Sequence, residues 1–359
     1  MGLAIAVIIA VSSFGLNSSA AATILEGGSW VTEKKVTWQK PTKVVSMETQ
    51  KKQFVMSTQT KSGKVNNLYF SFPTEGGVRF HADDTGFWNA KEVSEIKYTS
   101  EGAAIVMQAN DTKVKVYSTA SPWRFEVYNA DDQMVIWFES DDMYFGYDKD
   151  GKLAKVKIAS PVDESETLFG LGERFSGLVQ NGKTVEMWNY DAFGQLRRSY
   201  GDQNVGYKNI PMIHSNNGYS IFHNNTYYGL VDVADSKSDE CSFEFFSSIL
   251  DMYVWTGSTL ENINSYGKLT GSSVTVPKDM LTYWAGHATA RWYSNGEKPE
   301  EILDTVKTTV EKYEKLGTPL KTIFIESIGL NEKYASTQNY LEGKNIRFVG
   351  WMNSQFRTF

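Results

Sequence analysis

The chain has 359 residues, of which 41% are hydrophobic and 14% aromatic, so it can form two domains with sizeable cores. The formal net charge of −6, from 36 basic and 42 acidic residues, argues against a nucleic-acid partner, which requires a basic face. Cys241 is the only cysteine, which excludes an internal disulfide, and the four histidines show no metal-ligand spacing.

The first segment is a short apolar run, Leu3–Val11, followed by the small residues Ser18–Ala22. The run is too short to cross a bilayer, so we predict no membrane span. This pattern is typical of a secretory signal over residues 1–22, which predicts a secreted or periplasmic protein. Since no Lys or Arg precedes Lys34, we expect the leader to begin upstream of Met1; the alternative is an apolar first strand.

Residues 23–276 are predicted to be β structure throughout. Alternating segments such as Lys113–Tyr117 and Arg124–Tyr128 are separated by polar turns, of which Asn110–Asp111 is an example. In the first of these segments lysines alternate with valines, as in a sheet with one solvated face. Short strands at regular spacing predict a β-sandwich.

The stretch from Leu168 to Asn225 carries the most unusual chemistry of the chain. Gly170 and Gly172 permit backbone angles that other residues avoid. Trp188 and Asp191 follow three residues apart, and an indole beside a carboxylate suits a sugar site. The ring covers the apolar C–H face of the sugar, and the carboxylate accepts hydrogen bonds from its hydroxyls.

A competing motif lies inside this stretch. Gly177–Thr184 matches the G-x-x-x-x-G-K-[ST] pattern of a phosphate-binding loop, which would make the chain a nucleotide binder. That loop requires a long helix directly after it. The residues from Val185 onward alternate and show no helical period, so Asn181–Gly182 is better interpreted as a hairpin turn.

Near Pro277 the pattern changes. Leu281–Ala290 is strand-like, and Pro299 opens a predicted helix that ends at Gly317. Thr322–Ile325 and the segment from Ile346 are further predicted strands, with a short helix between them. This order is that of a parallel α/β barrel. A complete barrel takes ~250 residues, so residues 277–359 are expected to be a truncated start of one.

The motifs of the Leu168–Asn225 stretch resemble glycoside hydrolase family 31, most closely its α-xylosidase branch. The resemblance rests on Gly170–Phe175, Trp188–Asp191, Tyr207–Pro211 and the strand Gly218–Phe222, which occur in the family's order. It implies a mostly β, galactose-mutarotase-like sandwich over residues 23–276, followed by the first strands of an incomplete (β/α)8 barrel.

The resemblance also implies a set of substrate contacts. Asp191 and Trp188 correspond to a sandwich loop that reaches the sugar pocket, while Arg291, Glu326 and Trp351 follow successive barrel strands. Glu326 stands where family members usually carry Asp. The structural alternatives are an ion pair between Glu326 and Arg291, core packing for Trp351, and a turn cap for Asp191.

The function that the resemblance implies is hydrolysis or transfer of α-linked xylosyl or glucosyl residues by a retaining mechanism, on an oligosaccharide or glycoside substrate and without metal or cofactor. The family's nucleophile and acid/base come from later barrel strands. We therefore expect both beyond the end of this chain and assign no catalytic residue within it. The alternatives are a non-catalytic carbohydrate-binding sandwich and the nucleotide binder.

Overall fold

The computed structural model describes residues 35–74, 76–174, 177–189, 208–287, 299–325 and 334–350. The chain divides into two compact units, Met1–Ser272 and Ser273–Phe359, called here the N-terminal and the C-terminal unit. Residues 1–22, predicted to be a leader, lie outside the described residues. Among the described residues, no helix is both long and apolar enough to cross a bilayer.

The described part of the N-terminal unit is built from antiparallel strands. In chain order they are β1 (Thr37–Gln39), β2 (Lys43–Thr49), β3 (Phe54–Gln59), β4 (Val65–Ser71), β5 (Val78–His81), β6 (Lys97–Glu101), β7 (Ala104–Ala109), β8 (Thr112–Tyr117), β9 (Arg124–Tyr128), β10 (Met134–Glu139), β11 (Met143–Tyr147), β12 (Leu153–Pro161), β13 (Leu168–Gly170), β14 (Lys183–Met187), β15 (Met212–Ser215), β16 (Tyr219–His223), β17 (Gly229–Val233), β18 (Glu240–Phe245) and β19 (Asp251–Thr256).

Within the described residues these strands form sheets of six, five and eight strands. Their orders are β1-β11-β12-β18-β17-β14, β10-β9-β8-β7-β6 and β13-β15-β16-β19-β5-β4-β3-β2. Neighbouring strands run antiparallel. This architecture confirms the mostly β prediction, and the reason is visible in the pattern of side chains.

Strand β8 shows how alternation produces a buried and a solvated face. Val114 and Val116 are fully buried, whereas Lys113 and Lys115 lie on the opposite face and form ion pairs, Lys113 with Asp132 in the β9–β10 turn and Lys115 with Glu101 at the end of β6. The preceding turn is Asn110–Asp111, as predicted, with Ala109 paired to Thr112 and Asn110 at φ 52°. Asparagine tolerates this left-handed conformation better than most residues.

Aromatic side chains join the eight-stranded and the five-stranded sheets in the main core of this unit. The ring of Phe70 on β4 lies 5.1 Å from that of Phe125 on β9, which in turn lies 5.0 Å from Phe138 on β10. These residues are at most 2% exposed. Each such ring buries a large apolar area, and the edge-on and stacked contacts add to that burial.

The expectation of β structure over all of residues 23–276 is wrong at one place. Thr259–Thr270 forms helix α1, which begins with a capping box: the Ser258 hydroxyl accepts from the backbone N–H of Glu261, whose carboxylate accepts from the backbone N–H of Ser258. The capping sequence was readable, but the segment that follows is mostly polar, so its apolar periodicity is weak.

The C-terminal unit has a different organisation. Strands β20 (Tyr283–His287), β21 (Leu320–Ile325) and β22 (Arg347–Gly350) pair in parallel, and helices α2 (Pro299–Lys315) and α3 (Ala335–Gly343) lie between them in sequence. Val306 of α2, Ile323 of β21 and Leu341 of α3 share one fully buried core. The strand–helix order is the one predicted for the start of a barrel.

Candidate functional site

Two of the sequence motifs lie side by side. Strand β13 ends at Gly170, the first residue of the Gly170–Arg174 run, and pairs antiparallel with β15. Backbone hydrogen bonds between the two chain segments continue past the end of β13. The backbone N–H of Leu171 donates to Met212 O at 2.8 Å, and that of Glu173 donates to Lys208 O at 2.9 Å. The glycine-rich run is therefore aligned along the Lys-Asn-Ile-Pro segment.

Glycine at position 172 is required by this close approach. Gly172 has φ +92°, and a Cβ there would lie 2.1 Å from Lys208 O and 2.8 Å from Ile210 N. Cβ atoms essentially never approach non-bonded atoms closer than 3.0 Å, so any side chain at this position would push the two segments apart. Glycine at position 172 therefore allows the Gly170–Arg174 run to pack closely against the segment that contains Lys208 and Ile210.

Arg174 connects these segments to strand β14. Its guanidinium donates to Leu171 O at 3.2 Å, to Glu186 O at 2.9 Å and to the side-chain oxygen of Asn209. Burial lowers the pKa of Arg174 to about 10, against the opposing effect of the nearby Glu186 carboxylate. The side chain is still charged at neutral pH, so its hydrogen bonds are charge-assisted.

Asn189 fastens the end of the Trp188 segment to the same place. Its side-chain oxygen accepts from the backbone N–H of Asn209 at 2.6 Å and from the Asn209 side-chain amide at 2.7 Å. The chain positions on either side of residues 190–207 are therefore held together by direct hydrogen bonds. Through Arg174, they are tied to the glycine-rich run as well.

Trp188 stands directly after β14, half-buried against Tyr228. The two rings are T-shaped with centroids 5.9 Å apart, and the Tyr228 hydroxyl donates to the Glu186 carboxylate at 3.0 Å. Tyr228 also packs edge-on against Phe246 at 4.9 Å. The indole is supported on one side by a fixed aromatic, as a sugar-stacking ring requires.

The other predicted sugar contacts, Asp191, Arg291, Glu326 and Trp351, lie outside the described residues, so their placement stays a prediction. The sequence alone did not identify the roles of Arg174, Asn189 and Asn209. Arg174 carried a signal as a charged residue inside a glycine run, whereas nothing local marks the two asparagines as partners.

The phosphate-loop hypothesis for Gly177–Thr184 is wrong. Asn181 and Gly182 form a turn, and the residues after them are strand β14, which pairs antiparallel with β17. A strand offers no helix N-terminus to a phosphate. The Thr184 hydroxyl donates to Asp235 instead.

The described residues include no group of three or more His, Cys, Asp or Glu side chains arranged to hold a metal ion. Cys241 is buried, and this burial raises the pKa of its thiol. A neutral buried thiol is a poor nucleophile and metal ligand, so Cys241 serves in packing. The chemistry that this site offers is aromatic stacking and hydrogen bonding.

Comparison with known proteins agrees with this description. Residues 67–232 match the glycosyl hydrolase 31 N-terminal galactose mutarotase-like domain. The chain is 23% identical to α-glucosidase 2 of Bacillus thermoamyloliquefaciens over 276 residues, which are 72% of this chain and 33% of the relative. It is 29% identical to α-xylosidase XylQ of Lactiplantibacillus pentosus over 216 residues, which are 58% of this chain and 27% of the relative.

A solved structure shows the same fold. The cycloalternan-forming enzyme from Listeria monocytogenes, in complex with a pentasaccharide substrate, superposes with a TM-score of 0.71 at 18% identity, over 90% of this chain and 33% of that one. The chain thus spans about a third of the length of the relatives it matches.

Proposed function

Because residues 67–232 of this chain form the N-terminal galactose mutarotase-like domain of glycosyl hydrolase family 31, we propose that the chain is part of a secreted α-glycosidase. The enzyme hydrolyses or transfers α-linked glucosyl or xylosyl residues on oligosaccharides. The observation that carries this proposal is the convergence of the family's motifs: the glycine run, Trp188–Asn189 and Lys208–Asn209 meet through hydrogen bonds around Arg174.

The proposed role of the N-terminal unit is to contact the sugar through Trp188 and Asp191. Trp188 stacks on the sugar ring, and Asp191, three residues further on, accepts hydrogen bonds from its hydroxyls. Hydrogen bonds directed at hydroxyls reject a sugar that lacks the matching group far better than apolar contacts do. In this proposal Arg291, Glu326 and Trp351, which follow successive predicted barrel strands, are further substrate contacts.

The catalytic carboxylates are proposed to lie in the part of the relatives' length that this chain does not span. A retaining glycosidase needs a nucleophile and an acid/base roughly 5 Å apart. Asp191 and Glu326 are proposed as substrate contacts and take neither catalytic role. The mechanism needs no metal or cofactor, because protonation of the leaving group and the covalent intermediate both use carboxyl groups.

The non-catalytic carbohydrate-binding sandwich is the weaker alternative. A binding module needs only the β-sandwich, whereas this chain continues into parallel strands β20, β21 and β22 with helices between them. Such an arrangement is the usual start of a catalytic barrel. The parallel unit therefore supports the enzyme over the binding module.

The test is turnover of 4-nitrophenyl α-glucoside and α-xyloside by the protein expressed from its natural locus. We expect activity on at least one, with retention of the anomeric configuration in the first-formed product by NMR. An Asp191→Ala variant should lose more kcat/KM than an Asp150→Ala variant at an exposed turn. Binding of oligosaccharides without turnover would instead identify the non-catalytic module.

Secretion is proposed from residues 1–22 alone. N-terminal sequencing of the protein recovered from the culture medium or periplasm should show cleavage near Ala22. Recovery in the cytosol with Met1 retained would contradict the leader and leave the rest of the proposal intact.

A further inference from the structure

Two aromatic rings are exposed side by side on the N-terminal unit. Phe87 is 54% exposed and Tyr227 is 52% exposed, and their centroids are 6.4 Å apart with an angle of 38° between the ring planes. Single exposed apolar residues are ordinary, but adjacent exposed rings offer a broad apolar surface for contact with another molecule.

Hydrogen bonds to neighbouring side chains hold the backbone of Phe87 in place. The Asn224 side-chain oxygen accepts from the N–H groups of Phe87 and Trp88, both at 3.0 Å, and the Asn224 amide donates to Trp88 O at 2.6 Å. The N–H of Gly86 donates to the Asp251 carboxylate at 2.7 Å. Successive backbone groups of the segment are thus fixed by buried side chains.

An ion pair lies beneath these contacts. Arg79 donates to Asp251 through Nε at 2.9 Å and Nη2 at 2.7 Å, and Asp251 is 1% exposed. A buried ion pair adds little net stability over apolar residues of the same size, although it fixes geometry. Here the geometry that it fixes is that of the segment carrying Phe87.

Phe87 and Trp88 are adjacent, and their rings contact each other with centroids 6.3 Å apart. Trp88 packs inward against Phe222, with centroids 6.1 Å apart, whereas Phe87 is left at the surface. Gly86 allows the close approach beneath them, since a Cβ there would lie 1.8 Å from Asn224 O. The Phe87 ring is therefore presented on a rigid support, which lowers the entropic cost of binding a ligand.

Tyr227 connects this surface to the Trp188 site. Tyr227 directly precedes Tyr228 in the chain, and the Tyr228 ring lies 5.9 Å from that of Trp188. The exposed aromatic pair is therefore adjacent in sequence to a residue whose ring contacts Trp188.

We propose that Phe87 and Tyr227 form a second carbohydrate-binding platform, which takes a neutral α-linked oligosaccharide chain extending beyond the Trp188 site. The proposal rests on the proposed function for the identification of the ligand as an α-linked carbohydrate and for the sugar site at Trp188. The exposed ring faces stack on the C–H faces of sugar units. The same segment exposes Asp83, Asp84 and Asn89, whose oxygens accept hydrogen bonds from hydroxyls, and its two carboxylates disfavour anionic ligands.

The test uses the 359-residue chain and calorimetric titration with maltoheptaose and with isomaltoheptaose. Phe87→Leu removes the flat ring but keeps an apolar side chain, and Phe87→Tyr keeps the ring. We expect Phe87→Leu to weaken binding about fivefold to tenfold for at least one oligosaccharide and Phe87→Tyr to bind like the wild type. Thermal unfolding of both variants should match the wild type, since position 87 is exposed.

Equal affinities of the wild type and Phe87→Leu would overturn the platform, as would failure of the wild-type chain to bind either oligosaccharide. A loss of affinity in Trp188→Ala but not in Phe87→Leu would overturn the platform and leave the proposed function standing. Sedimentation equilibrium tests the alternative that the two rings contact a second copy of the chain. If Phe87→Leu dissociates a dimer and leaves sugar affinity unchanged, the rings contact a second copy of the chain and the proposal is wrong.

Discussion

Replacing Gly172 by alanine tests whether the glycine run exists to let two chain segments approach. The new Cβ would lie 2.1 Å from Lys208 O, so the segments must separate by about 1 Å to restore ordinary contact. That separation removes the hydrogen bond from Glu173 N to Lys208 O and strains the one from Arg174 to Asn209.

The expected cost has two parts. A side chain at a left-handed φ costs about 1–2 kcal/mol, and loss of the neutral and charge-assisted hydrogen bonds adds about 2–4 kcal/mol. Gly177→Ala is the matched control, because Gly177 has φ +84° but no atom within 4 Å of the added Cβ. The control variant should show the cost of the left-handed φ but not the loss of hydrogen bonds. The free energies of unfolding of the two variants should therefore differ by about 2–4 kcal/mol.

The assay is urea unfolding followed by far-ultraviolet circular dichroism, which reports mainly on the strands of the N-terminal unit. Gly172→Ala should unfold at a clearly lower urea concentration than Gly177→Ala, or fail to fold while the control folds. If the free energies of unfolding of the two variants agree within about 0.5 kcal/mol, the close approach does not explain the glycine.

Three further outcomes follow from other contacts. Asp251→Asn should destabilise the protein by about 3–5 kcal/mol in urea unfolding, because it leaves the Arg79 charge buried without its partner; a change below about 1 kcal/mol would contradict this. Ser258→Ala should cost about 1 kcal/mol through loss of the α1 cap, and an unchanged midpoint would refute the capping role. His223 is fully buried, and burial lowers its pKa to about 3, so the unfolded chain binds more protons below pH 6.5. Stability should therefore fall as the pH drops from 6.5 toward 3, and His223→Phe should flatten that slope by up to about 1.4 kcal/mol per pH unit; equal slopes would refute the buried, neutral state.

The sequence alone predicted the features that depend on local pattern. Strand β8 followed from the alternation of lysine and valine, its turn from Asn110–Asp111, and helix α2 from Pro299 and the spacing of its apolar residues. These succeed because a period of two or of 3.6 residues is written within a few neighbouring positions. Helix α1 was missed because its sequence is mostly polar and its capping box was the main local mark.

Contacts between distant residues were decided only by the tertiary structure. Arg79 and Asp251 are 172 positions apart and meet because β5 and β19 are neighbours in one sheet. Asn209 lies before β15 of the eight-stranded sheet, yet it hydrogen-bonds with Asn189, which follows β14 of the six-stranded sheet. The sequence predicted from its motif that Trp188 is a sugar contact, but the support of this ring by Tyr228 and the exposure of Phe87 depend on the tertiary structure. Sheet order sets which side chains share a neighbourhood, and no local pattern records it, because strand pairing joins positions whose separation along the chain is unconstrained.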